Sequence, residues 1–344
     1  MIFNPPRVSL LVAMRNEAAY IATCINSLLN QDYPQDLLEV LIYDGQSEDN
    51  SRSIAESLIR SRPNFHVVEN PKKIQSAAWN LGIEKCKGDI ISIVSGHAEL
   101  STDYVSRAVE TLLRTKADLV GGTVRARNYG LLGEAIAIAI STPFGVGNAR
   151  FRYTEEEEAT DTVFMGFCYK KIYEKIGGYD EELIRNQDDE FSYRLRKGGG
   201  KIICNPQIVS FYNNRATLGS LLSQYYKYGY YKVRVLQKHP HQMRMRQYVP
   251  PLFVLALFAS SLLALVSLSS LSIGIPILYL STNMIASLHT ASKRGWKYFF
   301  ILPIVFSILH LSYGLGFLAG LFKFWNRWGD KVGKVMQFSP GSTD

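Results

Sequence analysis

The sequence predicts an α/β protein with a mostly parallel sheet, followed by an apolar helical region near the C-terminus. Over the first hundred residues, short runs of β-forming side chains alternate with segments of helical spacing. Such alternation is typical of a parallel sheet covered by helices on both faces. In contrast, residues 249–292 and 298–322 contain no Asp, Glu, Lys or Arg. Soluble helices of that length nearly always carry a charged face, so these segments indicate a membrane region.

The alternation can be followed element by element. Strands are predicted at residues 8–13, 38–43, 65–68 and 89–94, and helices at residues 17–29, 51–59 and 74–85. Ligands of parallel sheets bind beyond the carboxyl ends of the strands. Polar groups follow all four predicted strands, in the sequences RNE (15–17), DGQSED (44–49), NPKK (70–73) and SGH (95–97).

Two common phosphate-binding motifs are missing at these positions. The first strand leads into MRNEA (14–18), which lacks the G-x-G-x-x-G of dinucleotide-binding proteins, and the sequence contains no P-loop. A bound phosphate would therefore need a cation, a metal ion or the N-terminus of a helix.

The apolar region divides into three segments at residues 249–270, 272–291 and 298–322. A membrane-crossing helix needs roughly 20 apolar residues. Basic residues flank these segments and are expected to face the cytosol. Three full membrane crossings would place the basic tail on the side opposite the cytosol, against the positive-inside rule. Either the third segment is re-entrant or the chain departs from this rule, and the sequence leaves both open. The flanking basic residues are Lys232, Arg234, Lys238, Arg244, Arg246, Lys293, Arg294 and Lys297.

The predicted domain organisation follows from these patterns. Residues 1–215 are predicted to form a cytosolic α/β domain, 216–248 interfacial amphipathic helices, 249–322 the membrane region and 323–344 a basic tail. No signal peptide is recognised, which favours a multi-pass protein of the cell membrane with a cytoplasmic N-terminal domain. The net charge of +8 lies mainly at the membrane boundary, which favours membrane lipids over nucleic acid as partners. The four scattered cysteines are expected to be reduced and buried.

A set of short motifs, in order along nearly the whole chain, resembles the family 2 glycosyltransferases of GT-A fold. These motifs are VSLLVAMRNE (8–17), DGQSED (44–49), NPKK (70–73), AAWN (77–80), KGD (87–89), GG (121–122), PFGVG (143–147), DTVF (161–164), GGYDE (177–181) and NQDDE (186–190). The set is similar to the succinoglycan-type exopolysaccharide glucosyltransferases, which also carry a C-terminal membrane part. The resemblance implies a Rossmann-like nucleotide-diphospho-sugar transferase domain and an enzyme that transfers hexose.

The resemblance also implies where the sugar donor binds. The fourth strand exit of this superfamily holds a D-x-D motif that binds Mg²⁺ or Mn²⁺, and this chain has Ser95 and His97 there. Serine is a poor ligand for a hard cation, whereas imidazole suits Mn²⁺ better than Mg²⁺. His97 is therefore predicted to bind the metal or the diphosphate directly, with Glu99 or Asp89 as helpers. The other predicted donor-binding residues are Ala13, Glu17, Asp44, Asn80 and Ser95.

Inverting sugar transfer needs a base that takes the proton from the acceptor hydroxyl. The family places this base as the Asp of an E-D pair at the start of a helix, and Gln187-Asp188 stands at that position here. Asp188 is therefore predicted to be the catalytic base, with Asp189 and Glu190 as alternatives. Asp189 is also a candidate for the acceptor side of the site.

A Q-x-x-R-W motif closes over the donor in this family. Gln224 to Tyr228 match it loosely, with Lys227 for Arg and Tyr228 for Trp, so Gln224 and Lys227 are predicted gating residues. The loose match favours addition of a single sugar over processive synthesis. The predicted reaction transfers a sugar, glucose from UDP-glucose, onto a polyprenyl-diphosphate-linked glycan. The alternatives are transfer to polyprenyl phosphate itself and a catalytically silent membrane scaffold.

Overall fold

The structure, a computed structural model, describes residues 4–213, 217–266, 270–328 and 335–338. The chain divides into two compact units. The first comprises Met1–Arg125, Arg150–Asn213 and Val332–Asp344, and the second comprises Ala126–Ala149 and Asn214–Lys331. The division after residue 213 lies two residues from the predicted domain boundary at 215, but Ala126–Ala149, which the prediction includes in the first domain, belong to the second unit. Of the predicted basic tail, residues 329–334 and 339–344 lie outside the described residues.

The first unit begins with the predicted parallel strands. Strands β1 to β4 lie in the order β3-β2-β1-β4 and pair in parallel. Each connection contains a helix, as right-handed parallel crossovers require. The strands are β1 (Val8–Met14), β2 (Leu38–Asp44), β3 (Phe65–Glu69) and β4 (Ile90–Ser95), and the helices are α1 (Ile21–Leu29), α2 (Ser51–Ile59) and α3 (Gln75–Lys85).

The rest of the sheet is antiparallel, so the sheet is mixed. Strand β4 pairs with β8, β8 with β6, and β9 with both β5 and β7. Gly122 in β6 faces β9 so closely that a Cβ there would lie 1.7 Å from the Ile208 carbonyl oxygen. The added elements are β5 (Ala98–Leu100), α4 (Tyr104–Thr115), β6 (Leu119–Arg127), β7 (Glu158–Ala159), β8 (Phe164–Tyr169), α7 (Lys170–Ile176), α8 (Gln187–Lys197) and β9 (Ile202–Asn213).

Both faces of the sheet are buried, which explains why β1 is apolar at every position except Ser9. Alternate side chains point to opposite faces of a strand. Leu10 and Val12 therefore enter one core cluster with residues of α1, α2 and α4, whereas Leu11 enters another with residues of α3, α7 and α8. The two cores fix the strand ends, and with them the polar groups that follow the strands.

The second unit is helical. Helices α9 and α12 approach each other closely at glycines: a Cβ on Gly316 would lie 2.0 Å from the Tyr226 carbonyl oxygen, and one on Gly229 would lie 2.1 Å from that of Tyr313. Small residues at such positions let helix backbones come together. The helices of this unit are α5 (Gly130–Ala139), α6 (Pro143–Val146), α9 (Leu218–Lys238), α10 (Met245–Val266), α11 (Ser270–Arg294) and α12 (Leu302–Lys323).

Within the described ranges, two helical segments are long and apolar enough to cross a membrane, namely Gln247–Leu265 and Leu302–Lys323. The sequence predicts three such segments. The middle one does form a helix, α11, but Ser281, Thr282, Asn283 and Ser287 lower its hydropathy.

The basic residues of α9 also differ from expectation. Lys232 is buried and donates to Gln242, so it is not available to lipid phosphates.

Candidate active site

Three predicted site residues lie side by side at the carboxyl edge of the parallel strands. Ala13 of β1 pairs with Ser95 of β4, and Met14 pairs with Asp44 of β2. The register of the sheet therefore gathers the first, second and fourth strand exits into one row.

The loop after β2 is bonded to the turn after β1. Asp44 is only 2% exposed, and its Oδ1 accepts hydrogen bonds from the amide and the hydroxyl of Ser47, at 3.1 and 2.6 Å. The Ser47 hydroxyl in turn accepts from the Asn16 amide at 3.0 Å. Asn16 has a φ of +54°, a conformation that Asn tolerates better than most residues. Asp44 thus shapes the loop, and its Oδ2 lies 3.7 Å from the Arg52 guanidinium.

A second set of bonds fixes the backbone of Glu17. The Glu17 amide donates to the Ser51 hydroxyl at 2.7 Å, and that hydroxyl also contacts Asp49. Asp49 accepts from the Ala18 amide at 3.1 Å as well. The hydrogen bond from Ser51 holds the pKa of the Asp49 carboxyl below its usual range. These bonds place the side chain of Glu17 at the edge of the sheet.

Glu17 and His97 form an acid–imidazole pair. Glu17 Oε1 lies 2.8 Å from His97 Nδ1, and the Ser95 hydroxyl lies 3.2 Å from Nε2. The Tyr212 ring packs edge-on against the imidazole with centroids 5.1 Å apart. The side chains of His97 and Glu17 remain 28% and 21% exposed. A carboxylate at Nδ1 favours the tautomer that leaves Nε2 able to bind a cation or accept a hydrogen bond.

Two candidate catalytic carboxylates begin helix α8. Asp188 and Asp189 are half-buried in its first turn, two and three residues after the N-cap residue Asn186, which has a φ of +64°. The Asp189 amide donates to Asp188 Oδ1 at 2.9 Å. Glu190, the third carboxylate of the run, is fully buried and paired with Arg194 at 2.7 Å. Glu190 therefore has a structural role, and Asp188 and Asp189 are the carboxylates with access to solvent.

A chain of contacts connects helix α8 to His97. The Ser192 hydroxyl lies 3.0 Å from the Thr162 hydroxyl. Two residues beyond Thr162, the Phe164 ring packs edge-on against Tyr212 at 6.4 Å, and Tyr212 contacts His97. The middle of α8 and the exit of strand β4 are thus connected through packed side chains of the first unit.

Asn80 is placed differently from the other predicted donor-binding residues. It is 1% exposed, its Nδ2 donates to the Tyr179 carbonyl and to Glu181, and its Oδ1 accepts from the Tyr179 amide. The Asn80 amide therefore holds the loop between α7 and α8. Its role in donor binding stays a prediction.

The predicted gating residues belong to the second unit. Gln224 Nε2 donates to the Tyr228 hydroxyl at 2.9 Å, and the Lys227 side chain is exposed. Their role also stays a prediction.

Sequence reasoning missed Tyr212, which contacts His97, and the anchoring role of Ser51. Tyr212 comes from the end of an antiparallel strand more than a hundred residues away, and no local pattern points to it. Ser51 lies two residues after the DGQSED motif (44–49), so its position was a usable signal.

A mixed sheet whose parallel half ends in this polar row has the architecture of a GT-A-like α/β domain. The family model "Glycosyl transferase family 2" matches residues 9–177. The chain belongs to this family and is a glycosyltransferase.

Two similar proteins align with nearly the whole chain. One is the dolichyl N-acetyl-alpha-D-glucosaminyl phosphate 3-beta-D-2,3-diacetamido-2,3-dideoxy-beta-D-glucuronosyltransferase of Methanococcus voltae. It is 30% identical over 325 residues, which cover 92% of this chain and 97% of the relative. The other is the succinoglycan biosynthesis protein ExoA of Rhizobium meliloti (strain 1021), 28% identical over 321 residues, which cover 92% of this chain and 96% of the relative.

Solved structures share the fold. The mannosyltransferase PcManGT from Pyrobaculum calidifontis, in complex with GDP-Man and Mn²⁺, superposes with a TM-score of 0.59 at 19% identity, covering 90% of this chain and 88% of the other. S. aureus TarS 1–349 superposes with a TM-score of 0.52 at 14% identity, covering 93% and 91%. These likenesses confirm the predicted fold class.

Proposed function

We propose that this glycosyltransferase is a membrane-bound, inverting enzyme that transfers glucose from UDP-glucose onto a polyprenyl-diphosphate-linked glycan in exopolysaccharide biosynthesis. The observation that carries the proposal is the joining of three features within one unit. These are the row of strand exits, the Glu17–His97 pair and the solvent-accessible carboxylates at the start of α8.

The donor's nucleoside is proposed to lie over the first two strand exits, near Ala13 and Asp44. The buried Asp44 keeps Oδ2 beside Arg52, whose positive charge lies at the same loop. Because no glycine-rich turn is present, the diphosphate needs a positive partner. His97, which contacts Glu17, is proposed to hold the diphosphate either directly or through a metal ion.

A divalent metal ion fits this site only in part. Among the described residues, no three His, Cys, Asp or Glu side chains gather as a metal-binding group. His97 Nε2 is the best-placed ligand, and a metal held there would take most of its other ligands from the donor diphosphate and water. Imidazole ligation suits Mn²⁺ better than Mg²⁺. When bound, the ion would neutralise charge on the leaving diphosphate.

Asp188 is proposed to accept the proton of the acceptor hydroxyl as that hydroxyl attacks the anomeric carbon. The bond from the anomeric carbon to the diphosphate breaks on the opposite face, which inverts the configuration. General base catalysis of this kind contributes typically about 10²–10⁴-fold. Holding the donor and the acceptor in line supplies a further part of the acceleration.

The lipid-linked acceptor is proposed from the relatives. The name of the Methanococcus voltae protein specifies a dolichyl phosphate that already carries a sugar, and ExoA acts in succinoglycan biosynthesis. A sugar hydroxyl as nucleophile requires a base, which agrees with the partly exposed carboxylates Asp188 and Asp189 at the start of α8. Polyprenyl phosphate, the alternative acceptor, would need no strong base.

Membrane attachment is proposed from helices α10 and α12, which contain the two sufficiently long and apolar segments. Their exposed apolar side chains suit contact with lipid; in α10 these include Leu252, Leu255, Phe258 and Leu262. The catalytic unit is proposed to face the cytoplasm at the cell membrane.

The test is a donor-consumption screen with purified protein in lipid nanodiscs. UDP- and GDP-sugars are offered with polyprenyl-diphosphate-linked sugar, polyprenyl phosphate or no acceptor, in Mn²⁺, Mg²⁺ or EDTA. The proposal expects turnover of UDP-glucose with the diphosphate-linked sugar. Turnover with polyprenyl phosphate alone would support the alternative acceptor, and no turnover of any donor would support the silent scaffold.

A further inference from the structure

The C-terminal segment 335–338 lies in the first unit, although it follows the last apolar helix in sequence. Val335 forms an antiparallel bridge with Asp180, and the Gly178 amide donates to the Met336 carbonyl oxygen at 2.9 Å. The Phe338 ring packs against the core cluster that contains Tyr179 and Phe191. Residues 335–338 form the C-terminal strap.

Two glycines make room for the strap. A Cβ on Gly177, which has a φ of +80°, would lie 2.4 Å from Val335 Cγ1. A Cβ on Gly178 would lie 2.8 Å from the Phe338 ring. Larger residues at these positions would push the strap away. The GGYDE motif of the sequence is therefore the docking site of the strap.

The same loop is held from two other sides. Asn80 bonds both the amide and the carbonyl of Tyr179. Arg194 of α8 donates to the carbonyl oxygens of Ile176 and Gly178. The loop then runs directly into the turn of α8 that carries Asp188. The strap, Asn80 and Arg194 thus contact this loop from three sides, and the loop leads into the first turn of α8.

We propose that the C-terminal strap positions the start of α8, and with it Asp188, and that the C-terminus lies on the same side of the membrane as the first unit. The first part rests on the role of Asp188 proposed above. The second part rests on the contacts of Val335, Met336 and Phe338 alone.

The strap also limits the membrane topology. Both residue 213 and residue 335 belong to the first unit, so the chain between them crosses the membrane an even number of times. Three full crossings are inconsistent with this arrangement. The basic tail then obeys the positive-inside rule, which three crossings would violate.

The topology is tested by labelling an introduced cysteine with a membrane-impermeant maleimide. All four native cysteines are buried, so they give little background in the folded protein. Ser342→Cys is compared with Ser57→Cys, an exposed position of α2, in spheroplasts and in inverted membrane vesicles of a bacterial host. The inference expects both cysteines to label from the same face. Labelling from opposite faces would overturn it.

The positioning role is tested with Phe338→Ala, Phe338→Leu and a chain that ends at residue 331. We expect the alanine variant and the truncation to lower kcat about tenfold, while the KM for the donor changes less than about threefold. The leucine variant should restore most of the rate, because it refills the space of the ring. Leu113→Ala, an apolar truncation at the surface of α4, is the control and should leave kcat unchanged.

A purely structural role gives a different result. If Phe338→Ala lowers the melting temperature but leaves kcat unchanged below that temperature, the positioning role is overturned. Failure of the proposed function is recognised separately. If Asp188 is not the catalytic base, Asp188→Asn retains activity. The cysteine labelling still tests the membrane side of the C-terminus, because it does not depend on activity.

Discussion

The Glu17 carboxylate lies 2.8 Å from Nδ1 of His97, so that the exits of strands β1 and β4 are joined by a charge-assisted contact. The pair is partly exposed and stands in the row formed by Ala13, Ser95 and Asp44.

Replacing His97 with Ala should weaken binding of a nucleoside diphosphate about tenfold or more, since contacts with a charged group contribute about 1.5–3 kcal/mol. Glu17→Gln should weaken it less, because the imidazole remains but loses its orienting carboxylate. Binding of UDP is measured by calorimetry with and without Mn²⁺. Equal affinity of His97→Ala and the unchanged protein in both conditions would remove His97 from the donor site.

Ser51→Ala should destabilise the protein by about 1 kcal/mol, because the buried hydroxyl holds the Glu17 amide and contacts Asp49. It should also loosen the loop after β2 and weaken donor binding. Ser57→Ala, at an exposed position of the same helix, is the matched control. A Ser51→Ala protein with unchanged melting temperature and donor affinity would contradict the anchoring role.

The Ser51 contact also predicts a pH dependence. The hydrogen bond lowers the folded-state pKa of Asp49, so its stabilisation is present above the unfolded-state value of about 3.9. It is lost as the pH falls through the lower folded-state pKa. The difference in unfolding free energy between the unchanged protein and Ser51→Ala should therefore shrink between about pH 5 and pH 3. Tryptophan fluorescence during thermal unfolding measures it, and a difference that grows on acidification would have the wrong sign.

The four cysteines should resist alkylation in the folded protein. Burial raises the thiol pKa to about 12 for Cys24, Cys168 and Cys204, and to about 11 for Cys86. Because the thiolate is the reactive form, little of it is present near pH 8. Mass spectrometry after iodoacetamide treatment should find these residues unmodified until denaturant is added. Rapid modification of any of the four without denaturant would contradict the described packing.

Gly316→Ala should destabilise the second unit by about 1–3 kcal/mol, as overpacking does where the opposing atoms cannot move. Its new Cβ would meet the carbonyl oxygen of Tyr226, a backbone atom. Gly274→Ala in α11 is the matched control, because nothing lies within 4 Å of its Cβ position. The melting temperature in detergent should fall for Gly316→Ala and stay unchanged for Gly274→Ala. Equal melting temperatures would contradict the close packing of α9 and α12.

The parallel half of the sheet could be predicted because its signals are local. The run VSLLVAM is apolar at every position but one, as a strand buried on both faces must be, and each helix shows its own spacing. The rule that ligands bind at carboxyl ends then placed Asp44 and Ser95 at one edge, as the register of the strands confirms. The mixed half was not predicted, since its antiparallel pairings join segments far apart in sequence.

The parts of the site that depend on long-range packing could not be predicted either. The sequence shows three similar carboxylates at 188–190, and only the ion pair with Arg194 separates Glu190 from the other two. Asn80 is in a family motif, yet its amide is bonded to a loop a hundred residues away. The return of residues 335–338 to the first unit leaves no trace in hydropathy or periodicity.

The most direct test of the central claim is the rate of sugar transfer by Asp188→Asn, measured beside the donor affinity of the same protein. If Asp188 is the base, kcat falls at least about 10²-fold while the Kd for the donor stays within about threefold. Asp36→Asn, which removes an exposed carboxylate outside the site, keeps full activity. An Asp188→Asn enzyme that transfers sugar at more than half the original rate would contradict the account.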